Sequence, residues 1–124
     1  MGDYIFSSGK LIGILNGLFY YIPKNKSRFN YDRDKFVDFI LNQKEKHPEL
    51  FDNITITYTT LDNALFRMIY YRGEIEFLDL DNSVHIITPK SKENFENSRY
   101  QFKNDLLNQL EEISLDFQKE FIIQ

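Results

Sequence analysis

The residues best suited to chemistry form a short acidic segment in the second half of the chain: Glu74, Glu76, Asp79, Asp81 and His85. Carboxylate oxygens and an imidazole nitrogen are ligands that Mg²⁺, Mn²⁺ or Zn²⁺ accept. Asp79, Asp81 and His85 therefore form a candidate metal site for a hydrolase or a nuclease-like enzyme. A nuclease site of this kind would use a Lys close behind the acidic pair, but none follows until Lys90. The metal-dependent enzyme is accordingly the alternative hypothesis, and we predict no resident cofactor.

The same acidic segment also suits a protein interface. From Glu74 to Asp81 it carries four negative charges and no positive one, which would attract a basic partner and speed its docking. Tyr and Arg, which are frequent in interface hot spots, come directly before the acidic residues. The predicted partner-binding set is Tyr71, Arg72, Glu74, Glu76, Asp79 and Asp81. The competing interpretation is a solvated edge, with Glu74 and Glu76 facing solvent on a strand and the two Asp residues serving a turn.

The composition excludes several classes of protein. The chain has 124 residues and no Cys, which excludes a disulfide scaffold and a thiolate metal site. Its net charge is −4, and only residues 24–35 are locally basic, so we do not expect nucleic-acid binding. The sequence has no Gly-x-Ser-x-Gly elbow and no glycine-rich phosphate loop. We therefore predict a protein that is not an enzyme.

Three observations favour a small binding protein that acts by occlusion. The chain is short and acidic, it lacks a catalytic constellation, and it is rich in residue types with AT-rich codons, including 12 Phe and 8 Tyr. Such a bias is common in mobile elements, so we predict an immunity or inhibitor (antitoxin-like) protein of bacterial or mobile-element origin. Because no secretory pattern or long apolar run is present, we expect a cytoplasmic location and no membrane partner.

The elements that would position the acidic segment begin with a predicted hairpin. Apolar runs at 11–15 and 18–22 flank Asn16-Gly17, the dipeptide that most readily forms a type I′ turn. A short run at 4–6 would add a third strand. A helix is predicted over 32–46, because its apolar residues share one face and its charges suit the helix dipole.

The middle of the chain predicts an antiparallel meander, with strands at 54–59, 64–71, 74–80 and 84–88 and an irregularity at Leu78. An apolar stripe after Pro89 predicts one long C-terminal helix over 92–122, which either overhangs the domain or breaks near Ser98 or Ser114. The stripe consists of Phe95, Phe102, Leu106, Leu110, Ile113, Phe117 and Phe121. It would suit pairing with a second copy, so a homodimeric structural or accessory subunit is a third hypothesis.

These elements predict a single α+β domain over residues 1–124. We expect an antiparallel sheet of five or six strands, built from the N-terminal hairpin and the central meander, with two helices packed on one face.

Overall fold

The computed structural model describes residues 2–79 and 83–123, with the backbone alone at 2–7 and 79. These residues form five α-helices and one three-stranded antiparallel sheet, so the class is α+β. The helices are α1 (Gly2–Tyr20), α2 (Arg33–Lys46), α3 (Tyr58–Tyr70), α4 (Pro89–Ser98) and α5 (Asn104–Phe121). The strands are β1 (Arg28–Asn30), β2 (Ile75–Asp79) and β3 (Val84–Ile87), in the order β1-β3-β2. The predicted sheet of five or six strands is therefore wrong.

The largest difference from the sequence prediction is α1, which replaces the predicted hairpin and the strand at 4–6. Apolar residues lie on nearly every side of α1 and are buried, because α3, α4 and α5 surround it. A helix that is apolar all round lacks the polar face that makes a helical period visible in a sequence. Gly17 is not in a turn. A Cβ atom there would lie 2.8 Å from Cδ1 of Leu110 and 2.9 Å from Cε1 of Phe95, so its missing side chain allows α4 and α5 to approach.

The strands predicted at 54–59 and 64–71 are wrong for a different reason. The Thr-rich segment continues into the first turn of α3, and Thr57 caps that helix. The Thr60 N–H donates to Oγ1 of Thr57 at 3.1 Å, and the Thr57 N–H donates to Oγ1 of Thr60 at 2.9 Å. This capping box satisfies backbone donors at the start of the helix. Helical spacing then buries Leu61, Ala64, Leu65 and Met68.

Other elements agree with the sequence. The predicted helix at 32–46 is α2, capped by Asp32, whose Oδ1 accepts from the Lys35 N–H at 3.1 Å. The last two predicted strands correspond to β2 and β3, and a register shift between Phe77 and Asp79 confirms the irregularity at Leu78. The predicted C-terminal helix is not continuous: the break expected near Ser98 is confirmed, because α4 ends at that residue. A 3₁₀ turn (Arg99–Gln101) then separates α4 from α5.

The sheet has one packed face and one open face. The cross-strand register places Phe29, His85 and Phe77 in a row on the face toward the helices. The row on the other face includes Arg28 and Glu76, both exposed. Because the helices cover only the first face, any gap in that cover opens directly onto the row of rings.

The core beneath the sheet is largely aromatic. The rings of Phe19, Phe29 and Phe117 contact one another with centroids 5.5 to 5.8 Å apart. The outer edge of β1 is bridged by Ile122, and the Ile123 N–H donates to the Arg28 carbonyl at 2.9 Å. The C-terminal residues thus close one edge of the sheet.

Candidate functional site

The acidic segment predicted to face a partner divides into a buried part and an exposed part. Glu74 has 0% of its surface exposed, whereas Glu76 is exposed on the open face of the sheet. The expectation that Glu74 faces solvent is therefore wrong. Glu74 lies where the chain leaves α3 and enters the core, and its N–H donates to the Met68 carbonyl at 2.8 Å.

Four hydrogen bonds satisfy the buried carboxylate. Arg72 donates from Nε to Oε1 at 2.7 Å and from Nη2 to Oε2 at 3.1 Å. The side-chain amides of Asn16 and Asn94 donate to Oε2 at 2.6 and 2.8 Å. Ser91 donates to Oδ1 of Asn16 at 2.7 Å. These five side chains, hereafter the Glu74 network, join α1, α4 and the turn before β2 inside the protein.

Arg72 is the member of the Glu74 network that reaches the surface. Its side chain is 39% exposed while its guanidinium forks onto the buried carboxylate. Two parallel bonds fix the orientation of a guanidinium as well as its position. Tyr71, the next residue toward α3, is exposed. Tyr71 and Arg72 therefore stay candidates for partner contact, while Glu74 acts from within by holding Arg72.

The described side chains give no support to the metal hypothesis. Asp81 lies outside the described residues, and only the backbone of Asp79 is described, so a site that joins them to His85 stays a prediction. Among the side chains that the structure does describe, no three His, Cys, Asp or Glu residues come together in a way that would hold a metal ion.

An exposed aromatic patch lies beside the turn that carries Tyr71. It comprises five large apolar side chains of α3, the turn and β2, which are 41 to 77% exposed: Phe66, Tyr70, Tyr71, Phe77 and Leu78. The Phe66 ring lies 4.7 Å from that of Tyr70 and 5.6 Å from that of Tyr71, measured between centroids. The Tyr70 and Phe77 rings are 6.4 Å apart, which connects helix to strand. The four rings form one continuous apolar surface, which together with Leu78, the next residue of β2, is hereafter the aromatic patch.

A cleft opens between α3 and the sheet within this patch. Its volume is about 320 Å³, and its lining is mostly apolar. The lining residues are Phe29, Tyr31, Asp62, Leu65, Phe66, Ile69, Tyr70, Phe77, Ser83 and His85. Such a volume is near the lower end of the range for ligand pockets, about 300–1,000 Å³. The space, hereafter the aromatic cleft, is a gap in the helical cover of the sheet.

His85 lies at the centre of the sheet row and forms part of the cleft wall. It is 6% exposed, and its ring lies between those of Phe29 at 5.4 Å and Phe77 at 4.6 Å. Its Nδ1 is 3.1 Å from the Ser83 carbonyl oxygen, which can only accept, so Nδ1 carries the proton and donates. Burial lowers the pKa of His85 below its ordinary value, more than this hydrogen bond raises it. The ring is therefore neutral near pH 7.

The charged group at the rim of the cleft, the Asp62 carboxylate, is already paired. Arg33 donates from Nη2 to Oδ2 of Asp62 at 2.7 Å and from Nε to both carboxylate oxygens at 3.1 Å. The Arg33 guanidinium also lies 4.4 Å from the centre of the Tyr58 ring. Burial raises the pKa of Tyr31 to about 12, so its phenol stays protonated. The cleft thus presents no unpaired charge among the described residues.

The other large apolar side chains that are exposed in the described part of the chain lie on different elements. Tyr100 is 80% exposed in the turn between α4 and α5, Leu41 and Leu115 are exposed on α2 and α5, and Tyr58 is exposed at the start of α3. The α5 part of the predicted dimer stripe is mostly buried in the core, at Leu110, Ile113, Phe117 and Phe121. The homodimer hypothesis therefore loses most of the apolar surface on which it was based.

No family model, curated protein or solved structure matches this chain. In the part of the chain that the structure describes, no helix is both long and apolar enough to cross a bilayer. The function is therefore inferred from the geometry of the aromatic patch and its surroundings.

Sequence reasoning found the turn but missed most of the patch. It selected Tyr71 and Arg72, yet it assigned Phe66 and Phe77 to the interior of strands. The available signal was the four-residue spacing of Phe66 and Tyr70, which places two rings on one face of a helix. That signal is lost when the segment is interpreted with the two-residue period of a strand.

Proposed function

We propose that this protein is a non-catalytic binding domain that neutralises a basic protein partner by occlusion, as small immunity and inhibitor proteins do. The observation that carries the proposal is the aromatic patch. Four rings, those of Phe66, Tyr70, Tyr71 and Phe77, are in contact at the surface instead of being covered by the chain itself. On soluble proteins, a contiguous apolar surface of this kind marks an interaction site more often than scattered single residues do.

The composition of the patch and its border fits a protein interface. Tyr and Arg are enriched among the residues that contribute most to binding, and Tyr70, Tyr71 and Arg72 lie side by side. The Glu74 network orients Arg72 before any partner arrives, which lowers the entropic cost of binding.

The charge of the chain favours a basic partner. Its net charge is −4, and Glu76 is exposed on β2, on the face of the sheet opposite to Phe77. Asp79 and Asp81 extend the same acidic segment in the sequence, and their contribution to the interface stays a prediction. Negative charge at the rim of an interface mainly speeds association and selects the partner.

The test uses the product of the adjacent reading frame, because immunity proteins are encoded beside their targets. The two purified proteins are mixed, and binding is measured by calorimetry. We expect a stable complex that Tyr70→Ala or Tyr71→Ala weakens by about 30-fold or more, the loss typical of an interface hot spot.

Tyr100→Ala is the matched control. It removes the same side chain from an equally exposed position outside the patch and should leave the affinity unchanged. The proposal fails if the two proteins form no complex. It also fails if all three substitutions have the same effect, since the patch would then not be the contact surface.

A further inference from the structure

The two ring nitrogens of His85, in the wall of the aromatic cleft, differ in their hydrogen bonding. Nδ1 is bonded to the Ser83 carbonyl, but no described residue is a hydrogen-bond partner of Nε2. Because Nδ1 is turned to Ser83 and the ring lines the cleft, Nε2 is the ring nitrogen that a group in the cleft can reach.

The protonation of the ring decides what this nitrogen can do. Because Nδ1 carries the proton of the neutral imidazole, Nε2 has a lone pair and accepts a hydrogen bond. The group it takes must therefore supply an N–H or an O–H.

The walls determine the rest of the ligand. The rings of Phe66, Tyr70 and Phe77 and the side chains of Leu65 and Ile69 surround the space. Flat aromatic groups pack well against ring edges and faces, and each such pair contributes beyond the area it buries. A charged ligand would find no free charged partner among the lining residues, since Asp62 at the rim is already paired with Arg33. The volume of about 320 Å³ suits one small ring system.

We propose that the aromatic cleft binds a planar aromatic group that donates one N–H or O–H to Nε2 of His85, and that this group is a tryptophan or tyrosine side chain of the partner. The second clause rests on the proposed function, because the cleft opens within the aromatic patch. The partner residue would insert its ring between α3 and β2 while its neighbours cover Tyr70 and Tyr71.

The probes are indole and benzofuran, which have the same shape but differ at one atom: indole carries the N–H, and benzofuran an oxygen. Each is titrated into the isotope-labelled protein, and the ring signals of both His residues are followed by NMR. We expect millimolar binding of indole, with shifts at His85 and none at His47. Indole should bind about 2- to 12-fold more tightly than benzofuran, the usual contribution of one hydrogen bond.

A substitution separates the hydrogen bond from the shape of the cleft. His85→Phe keeps a ring between Phe29 and Phe77 but removes the acceptor, so indole and benzofuran should then bind equally. If His85→Phe does not fold, the comparison of the two probes on the unaltered protein decides the question. Equal affinities there, or indole shifts that appear at His47 and not at His85, would overturn the inference.

The two proposals fail in different ways. If indole shifts His85 and prefers it over benzofuran, but Tyr71→Ala leaves the complex with the adjacent gene product intact, the cleft binds aromatic groups and the proposed function is wrong. If Tyr71→Ala breaks the complex but indole neither binds nor competes with that partner, the proposed function stands and the cleft inference is wrong.

Discussion

Side-chain burial at the start of β2 is the opposite of what it is in the middle of the strand. Just before the strand, the charged Glu74 is fully buried, and its oxygens accept hydrogen bonds from three side chains. Three residues later, the apolar Phe77 is partly exposed at the mouth of the aromatic cleft. The Glu74 network uses its polar groups internally and adds rigidity, whereas the aromatic patch leaves apolar area uncovered. Hydrophobicity alone therefore does not determine which side chains of this protein are buried. The exposed part of β2, at Phe77, is the part that a partner can contact.

The largest expected effect on the free energy of unfolding comes from removing the buried carboxylate of Glu74. Glu74→Ala would leave the Asn16 and Asn94 amides without an acceptor and Arg72 without its partner. A buried amide without an acceptor typically costs about 1–3 kcal/mol, and a hydrogen bond to a charged group contributes about 1.5–3 kcal/mol, so we expect the free energy of unfolding to fall by about 3 kcal/mol or more. Urea denaturation followed by circular dichroism measures the loss. Glu76→Ala, on the open face of the sheet, should stay within about 0.5 kcal/mol of the unaltered protein. Equal effects of the two substitutions would show that the Glu74 network does not stabilise the fold.

The close packing next to this network gives the second effect. Gly17→Ala would place a Cβ against Leu110 and Phe95, and overpacking of this kind typically costs about 1–3 kcal/mol. Gly13→Ala, one turn earlier in α1, meets nothing within 4 Å. It should therefore stabilise the helix by about 0.5–1 kcal/mol. Thermal denaturation of both variants measures the difference, and a stabilising Gly17→Ala would contradict the packing described for α1.

Substitutions in the aromatic patch should have a smaller effect on stability. Phe66→Gln replaces a half-exposed ring, so we expect a change within about 0.5–1 kcal/mol. The same substitution should weaken binding to the partner. A loss of stability as large as that of Glu74→Ala would mean that the patch belongs to the core. The contrast between the buried Glu74 and the exposed patch would then disappear.

The smallest effect concerns pH. Burial lowers the pKa of His85 from its ordinary value of 6.5, so the unfolded chain binds a proton more readily than the folded one. The His85 contribution to stability is therefore constant above about pH 6.5, decreases as the pH falls below that value, and is fully lost below the folded-state pKa. The free energy of unfolding, measured in urea at a series of pH values, should show this step. This decrease should remain in His47→Gln and disappear in His85→Gln. The opposite result would show that the decrease comes from His47.

α2, β2 and β3 were predictable from the sequence, and particular residues explain why the other elements were not. α2 has one apolar face and an Asp cap, so its period was visible, and the sequence carries turn-forming residues such as Gly73 next to the two strands. α1 lacks a polar face, and Asn16-Gly17 imitates a hairpin turn although both residues serve close contacts between helices. These contacts come from residues distant in the chain, such as Leu110, which no local pattern reveals. The same holds for the candidate site, because the burial of Glu74 depends on Asn16 and Asn94.

The central position of α1 has a consequence for how the chain is made. Its apolar sides leave the ribosome before α5, which completes their cover and ends roughly 100 residues later. At typical synthesis rates of about 5–20 residues per second, that delay is roughly 5–20 s. During this time α1 lacks part of its native cover, and the side that packs on α5 is exposed. A chain that stops before α5 would stay in this unshielded state, so degradation of incomplete chains should be rapid.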